Sequence, residues 1–270
     1  MERLGERVYR GYEFLVSGCF VLTSNQKPET FFMSTFTKEE LIRYNRQIML
    51  PELGIKGQEK LRNAKVLVIG AGGLGCPVLL YLSGAGIGTI GVIDFDKIEL
   101  HNLHRQILYT SEDIGKSKAV TAVEKLKKQN PHISFTAYNE MLNETNVGKI
   151  ISGYDLIIDG SDNFITRYLV NDTCLKLNKP LVYGSILKNE GQLTVINYKG
   201  SKNLRDLYPT PPNPEDVPNC DENGVMGVVP GIIGTMMCDL SIKVILEQSL
   251  ESNTLHLVDL SDYALRKIKF

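Results

Sequence analysis

Val66-Leu67-Val68-Ile69, running straight into Gly70-Ala71-Gly72-Gly73-Leu74-Gly75, is the stretch of this 270-residue chain that decides its fold. The four apolar residues, mostly β-branched, suit a short buried strand. The glycines keep the spacing G-x-G-x-x-G, and a helix is expected after them to about Ser83. Gly84–Gly88 closes that helix, and Thr89–Asp94 (TIGVID) reads as a second strand. Glycines between a strand and a helix let the backbone turn tightly and approach a ligand, and the helix N-terminus offers free N–H groups to phosphate. Asp94, ending the next strand, is placed to accept hydrogen bonds from ribose hydroxyls. On these residues alone the ligand is NAD, FAD or ATP, or the glycines form a turn that binds nothing.

The alternation continues outward. Ser117–Gln129 reads as a helix halted by Pro131, Ile133–Tyr138 and Leu156–Asp159 as strands, Phe164–Asn178 as a helix, and Leu181–Tyr183 as the opening of another strand. This order implies a single α/β domain built on a doubly wound, Rossmann-like, mostly parallel sheet. Gly191–Asn197 is expected to begin an antiparallel extension, closed by a hairpin of Leu255–Leu260 and Ala264–Phe270. Thr37-Lys38-Glu39-Glu40 has the form of a capping box, so a helix carrying Arg43 and Arg46 should run to about Met49, before Pro51. Residues 1–32 lack periodicity and Met33 opens a better-formed segment. Residues 1–36 are therefore read as an N-terminal extension that need not be native, and 37–270 as the folded domain. Five of the 11 prolines fall between Pro209 and Pro218, which makes 201–224 an expected long exposed loop without helix. Pro230 suits the first turn of a helix reaching about Gln248.

Composition excludes some classes. The net charge is −1, with 43% hydrophobic and 23% charged residues, so no overall basic excess points to nucleic acid or an anionic membrane as partner. No stretch reads as the roughly 18 apolar residues of a membrane span. Phe14–Leu22 is apolar but short, and the glutamates before it are unlike the basic start of a signal peptide. The five cysteines (19, 76, 174, 220, 238) are odd in number and form no C-x-x-C pair. A cytoplasmic, reducing setting is the expectation. Cys76, Cys174 and Cys238 fall within helices and read as core.

A polar cluster follows the second strand: Asn102, Arg105 and Gln106 in DFDKIELHNLHRQ, then Lys118 in GKSK. Ser161-Asp162-Asn163 follows the strand Leu156–Asp159. The C-terminal ends of strands in such sheets face one crevice, so these groups should converge there. Two cations, amides and a carboxylate suit a reaction that moves negative charge between phosphates, with Mg²⁺ on Asp162 and with Arg105 and Lys118 on phosphoryl oxygens. Plainer readings compete: Lys118 as a helix-surface lysine, Asp162 as the N-cap of the helix at Phe164, Arg46 as a solvated charge.

RYNRQ (43–47), GAGGLG, DFDKIELHNLHRQ, GKSK and GSDN occur in order. Together they resemble the HesA/MoeB/ThiF adenylyltransferases, bacterial relatives of ubiquitin-activating enzymes, over about Leu41–Lys269. Within that family the chain looks like the adenylyltransferases of molybdopterin-synthase and thiamine-thiazole sulfur carriers. The resemblance implies ATP and Mg²⁺ as cofactors and a small ubiquitin-like carrier protein ending in Gly-Gly as partner. The reaction would be adenylation of the carrier's C-terminal carboxylate with release of pyrophosphate. Adenylation of a small molecule or a tRNA, or a nucleotide-binding subunit without catalysis, are the alternatives on the same fold. By resemblance, Gly73 and Asp94 hold the nucleotide beside Gly70, Gly72 and Gly75. Asn102, Arg105 and Lys118 contact phosphates, with Gln106 and Asn163 alongside, and Asp162 binds Mg²⁺. Arg46 would reach into the partner subunit's site of an obligate homodimer. Cys220, in VPNCDENGVMG, matches a cysteine that some relatives link covalently to the carrier. Many relatives also bind zinc through two C-x-x-C pairs. Here Asn203-Leu204-Arg205-Asp206 stands where the first would fall, and the second would lie beyond Lys269. No zinc is expected, so the proline-rich loop should either be held by other contacts or be mobile. His104 stands where relatives often have glutamine.

Overall fold

In the computed structural model, residues 36–212 and 224–270 are described. The readings of Phe14–Leu22 and of Cys220 fall outside them. The chain divides into a unit Met1–Thr37 and a unit Lys38–Phe270, and the second holds all the regular secondary structure of the described residues. Its strands are β1 Lys65–Ile69, β2 Thr89–Ile93, β3 Ser134–Tyr138, β4 Leu156–Asp159, β5 Leu181–Leu187, β6 Glu190–Ile196, β7 Thr254–Asp259 and β8 Ala264–Lys269. Its helices are α1 Lys38–Ile48, α2 Gly54–Asn63, α3 Gly75–Ala85, α4 Lys118–Gln129, α5 Val147–Ser152, α6 Phe164–Lys176, α7 Leu204–Leu207 and α8 Val228–Ile245.

The strands make one sheet in the order β3-β2-β1-β4-β5-β6-β7-β8. From β3 to β5 all neighbours are parallel, and from β5 to β8 all are antiparallel. After β1 the chain builds outward through β2 to β3, then returns to lay β4 against the other edge of β1. That reversal opens a crevice at the C-terminal ends of β1 and β4, the place where ligands bind in open α/β sheets. Alternation along the strands sends side chains to two faces. Val66 and Val68 pack with α3, α4 and α8. Leu67 and Ile69 pack with α5, α6 and Leu204 of α7. Both faces are covered, which is why β1 and β4 are nearly continuous apolar runs.

Several expectations need correction. The helix after the glycine loop continues through Gly84 to Ala85, and α6 stops at Lys176. α8 stops at Ile245 rather than near Gln248. Helices α2 and α5 were not foreseen; two glycines in α2 and the shortness of α5 blur their periodicity. The stretch 201–224 is not loop throughout, because α7 lies within it, opened by a capping box of Asn203 and Asp206. α7 is anchored to α6: Arg205 donates to both carboxylate oxygens of Asp172 (2.8 and 2.7 Å), and Leu204 N–H donates to Asn171 Oδ1 (2.8 Å). The Arg205 guanidinium also stacks 4.8 Å from the Tyr168 ring centre. These contacts belong to α7 alone; residues 213–223 of the proline-rich stretch lie outside the described residues. By length and composition α8 could cross a membrane, at 18 residues and mean hydropathy 1.6. Asp239 and Lys243 break its apolar run and hid it in the sequence. Half of it is buried, against α3, β5 and β6.

Candidate nucleotide and active site

The glycine loop leaves β1 at Gly70, whose φ of +85° is open to glycine and strained for other residues. A Cβ at Gly75 would stand 1.9 Å from Gly70 O, so that position admits glycine only. Gly72 faces the Gln106 amide, and Gly73 lies against Pro230 and the aliphatic part of Arg105. The loop is fixed from three sides. Gly70 N–H donates to Ile93 O of β2 (2.8 Å). Ala71 N–H donates to Asp94 Oδ2 (2.8 Å). The Tyr109 hydroxyl donates to Ala71 O (2.9 Å) and lies 3.2 Å from Lys118 O.

Asp94 also accepts from Asp96 N–H through Oδ1 (2.8 Å). Each of its oxygens keeps a lone pair for an outside donor. Burial pushes its carboxyl above the ordinary carboxylate range, against the pull of the Ala71 amide and the Lys118 charge. Lys118 is no surface lysine. Its side chain is 7% exposed and its Nζ sits 2.8 Å from Asp96 Oδ2. Asn102 and Gln106 are buried, with Gln106 Nε2 donating to Asn102 Oδ1 (2.5 Å). Gln106 Oε1 has no hydrogen-bond partner among the described residues. Arg105 holds its guanidinium 2.8 Å from His104 Nε2 and 3.3 Å from His101 O. An arginine only donates, so that His104 nitrogen must accept. This gives His104 a part: it fixes the direction of Arg105.

Across the crevice, β4 ends at Asp159 and the turn Gly160–Asn163 follows. Asn163, not Asp162, caps α6, accepting from Thr166 N–H (2.9 Å). Asp162 stays exposed, with the Asn163 amide 3.5 Å away. The structure thus gathers Gly70, Gly72, Gly73, Gly75, Asp94, Asn102, Arg105, Gln106 and Lys118 about the glycine loop. It sets Asp162 and Asn163 at the neighbouring strand end. It does not bring Arg46 there. Arg46 is exposed on the last turn of α1, and its neighbour Gln47 donates to Ala85 O (2.8 Å) at the far end of α3 from Gly75. Eleven residues of helix separate the two ends by about 16 Å.

Buried Cys76, Cys174 and Cys238 are core, and burial pushes the Cys76 and Cys238 thiols up to about 12. Asp96, Tyr109, Asp159 and Arg167 belong to the site's framework and were missed. The second carboxylate of DFD was the available signal for Asp96.

A sequence profile described as the ThiF family matches residues 44–270. The chain belongs to the ThiF family. It is 48% identical over 216 residues to the sulfur carrier protein adenylyltransferase of Thermus thermophilus, covering 78% of this chain and 80% of that protein. It is 46% identical over 238 residues to the adenylyltransferase and sulfurtransferase MOCS3 of Anopheles gambiae, covering 88% of this chain and 54% of that protein. It thus spans about half the length of that longer relative. Among solved structures, PaaA superposes with a TM-score of 0.76 at 21% identity, over 90% of this chain and 77% of that one. E. coli MccB gives 0.75 at 22% identity, over 88% and 72%. At such identities the likeness speaks for the ThiF fold alone, with its parallel sheet and antiparallel extension.

Proposed function

We propose that the chain adenylates the C-terminal glycine carboxylate of a small ubiquitin-like sulfur carrier. The observation that carries this reading is the gathering of Arg105, Lys118, Asn102 and Gln106 around the glycine loop at the sheet's reversal point, with Asp162 beside it. The names of the relatives point the same way. The carrier's carboxylate oxygen attacks the α-phosphorus of ATP. The bond from that phosphorus to the oxygen bridging to the β-phosphate breaks, pyrophosphate leaves, and an acyl-adenylate remains.

The protein's task in such a step is positioning and charge stabilisation. Asp94 holds the ribose. The loop amides and the N-terminus of α3 receive phosphate oxygens. Lys118 exchanges Asp96 for the phosphates, and Arg105, aimed by His104, follows the charge onto the leaving pyrophosphate. A groove of about 220 Å³ lies on the antiparallel strands β5 to β8, lined among others by Ser185, Glu190, Gln192 and Arg266.

Mg²⁺ belongs to this reading. No group of three His, Cys, Asp or Glu gathers among the described residues. That suits a cation held by one carboxylate, substrate phosphates and water, as Mg²⁺ commonly is. Asp162 would hold it, and once bound it would neutralise charge on the phosphate oxygens. Arg46 lies a helix length from its own glycine loop, which favours action in a second copy, and a homodimer is part of the proposal. Exposed Ile42, Met49 and Leu50 beside it offer an apolar surface for that contact. The test is exchange of labelled pyrophosphate into ATP against a panel of small proteins ending in Gly-Gly. Exchange should require Mg²⁺ and the intact tail. Exchange that persists when the tail is deleted would turn the proposal towards a small molecule or a tRNA.

A further inference from the structure

β4 reads Leu156-Ile157-Ile158 and then, fully buried, Asp159. One helical turn into α6, Arg167 is 5% exposed. Burying two charged side chains is costly unless their hydrogen bonds are well used. Their bonds converge on one residue. Asp159 Oδ1 accepts from Ser161 N–H (2.9 Å) and from the Ser161 hydroxyl (2.6 Å). Arg167 donates through one terminal nitrogen to Ser161 O (2.8 Å). Its other terminal nitrogen reaches Ser185 Oγ (2.9 Å) and the Tyr183 hydroxyl (3.4 Å) on β5. The rings of Phe164 and Tyr183 each lie 5.4 Å from the guanidinium carbon. The N–H, carbonyl and hydroxyl of Ser161 are thus all taken by this pair, and the next residue is Asp162.

The turn is wedged from the other side as well. Gly160 N–H donates to Ile69 O (2.8 Å), and a Cβ on Gly70 would stand 2.8 Å from Gly160 O. Asn163 is occupied in capping α6. Of the two carboxylates in residues 159–163, Asp159 is buried in the turn's framework, and Asp162 is exposed, with the Asn163 amide 3.5 Å from its Oδ1. The pair also keeps a cost: Asp159 Oδ2 and Arg167 Nε are buried with no hydrogen-bond partner among the described residues. Unmet polar atoms are expected where geometry matters more than stability.

We propose that Asp159 and Arg167 are positioning residues that clamp the turn Gly160–Asn163 and so aim Asp162 into the crevice. The proposal rests on the adenylation reading for its kinetic arm alone. In the full-length chain with a carrier that supports pyrophosphate exchange, Asp159→Asn and Arg167→Lys should each lower kcat about tenfold or more, as small misplacements of a catalytic group do. In an Asp162→Asn background the same substitutions should change kcat by less than about threefold, because the group they aim is gone. An equal loss in both backgrounds would mean general damage and overturn the clamp, as would no loss in either. Should Asp159→Asn fail to fold, Ser161→Ala removes one bond of the clamp and should show the same dependence on background at smaller size. Hydrogen–deuterium exchange over residues 160–163 reads the clamp without catalysis. Asp159→Asn or Ser161→Ala should speed it there and leave β1 and α3 unchanged, and unaltered exchange over the turn overturns the proposal. A wild-type chain without pyrophosphate exchange refutes adenylation instead, and the deuterium arm then decides the clamp by itself.

Discussion

At the scale of single residues, the glycine loop gives the sharpest expectation. A methyl at Gly75 would overlap Gly70 O at 1.9 Å, so Gly75→Ala must push the loop off its amides. Ligand at a hundred times its Kd should raise the stability of the wild type by about 2.7 kcal/mol. ATP with Mg²⁺ should therefore raise Tm in the wild type and not in Gly75→Ala, read by thermal shift. His104→Ala removes one acceptor, 2.8 Å from the Arg105 guanidinium, while His101 O remains, and should raise KM for ATP several-fold. His104→Gln keeps an acceptor and should restore it. Lys118→Met should lower kcat about a hundredfold, the usual scale for losing one charge-stabilising donor. Most of these residues were legible in the sequence because each sits a fixed step beyond a strand that could itself be read. Asp96 and Arg167 were not. The partner of Asp96 is 22 positions away, and Arg167 meets Ser185 and Tyr183 on a strand that follows it; nothing local announces either pairing.

Between elements, the anchoring of α7 invites a comparison of two bonds. Arg205 and Asp172 are 44% and 45% exposed. Solvent screens such a pair, and Arg205→Ala should cost little. Asn171 is 1% exposed and accepts from the buried Leu204 N–H. Asn171→Ala leaves that donor unmet, at about 1–3 kcal/mol. Urea midpoints should rank Asn171→Ala as the more damaging; the reverse order would mean the ion pair is the true anchor. A second knot joins the Thr110 turn to α4. Burial would push Asp113 upward, but hydrogen bonds from Lys125, Thr110 and Lys116 outweigh it and hold the carboxyl far below the ordinary range. Its contribution is then complete above the unfolded pKa of about 3.9 and is lost as pH falls towards the folded value. Asp113→Asn should lower stability at pH 7 and flatten its decline below about pH 4, measured by denaturation across pH. The strands and long helices were legible because their periodicity is strong and their ends are marked by glycine or proline. α2, α5 and α7 were not, since glycines, brevity and neighbouring prolines mask elements whose stability comes from what they pack against.

For the molecule as a whole, the proposed dimer makes its own prediction. Arg46→Ala and Asp162→Ala should each abolish most exchange activity, and mixing them after subunit exchange should rebuild one intact site per heterodimer. Heterodimers shown by mass to form, yet inactive, would exclude Arg46 from acting in trans. The order of elements has another result. α8 covers the face made by α3, β5 and β6, and it is also the most membrane-like helix in the described chain. On a ribosome, every strand from β1 to β6 is made before it. Through that interval the nascent chain holds a finished parallel half with one oily wall bare, and incomplete sheets of this kind are prone to aggregate. Synthesis of this protein should therefore lean on holding chaperones until Ile245 has emerged, and slowing translation just before Val228 should cost soluble yield more than slowing it after β7.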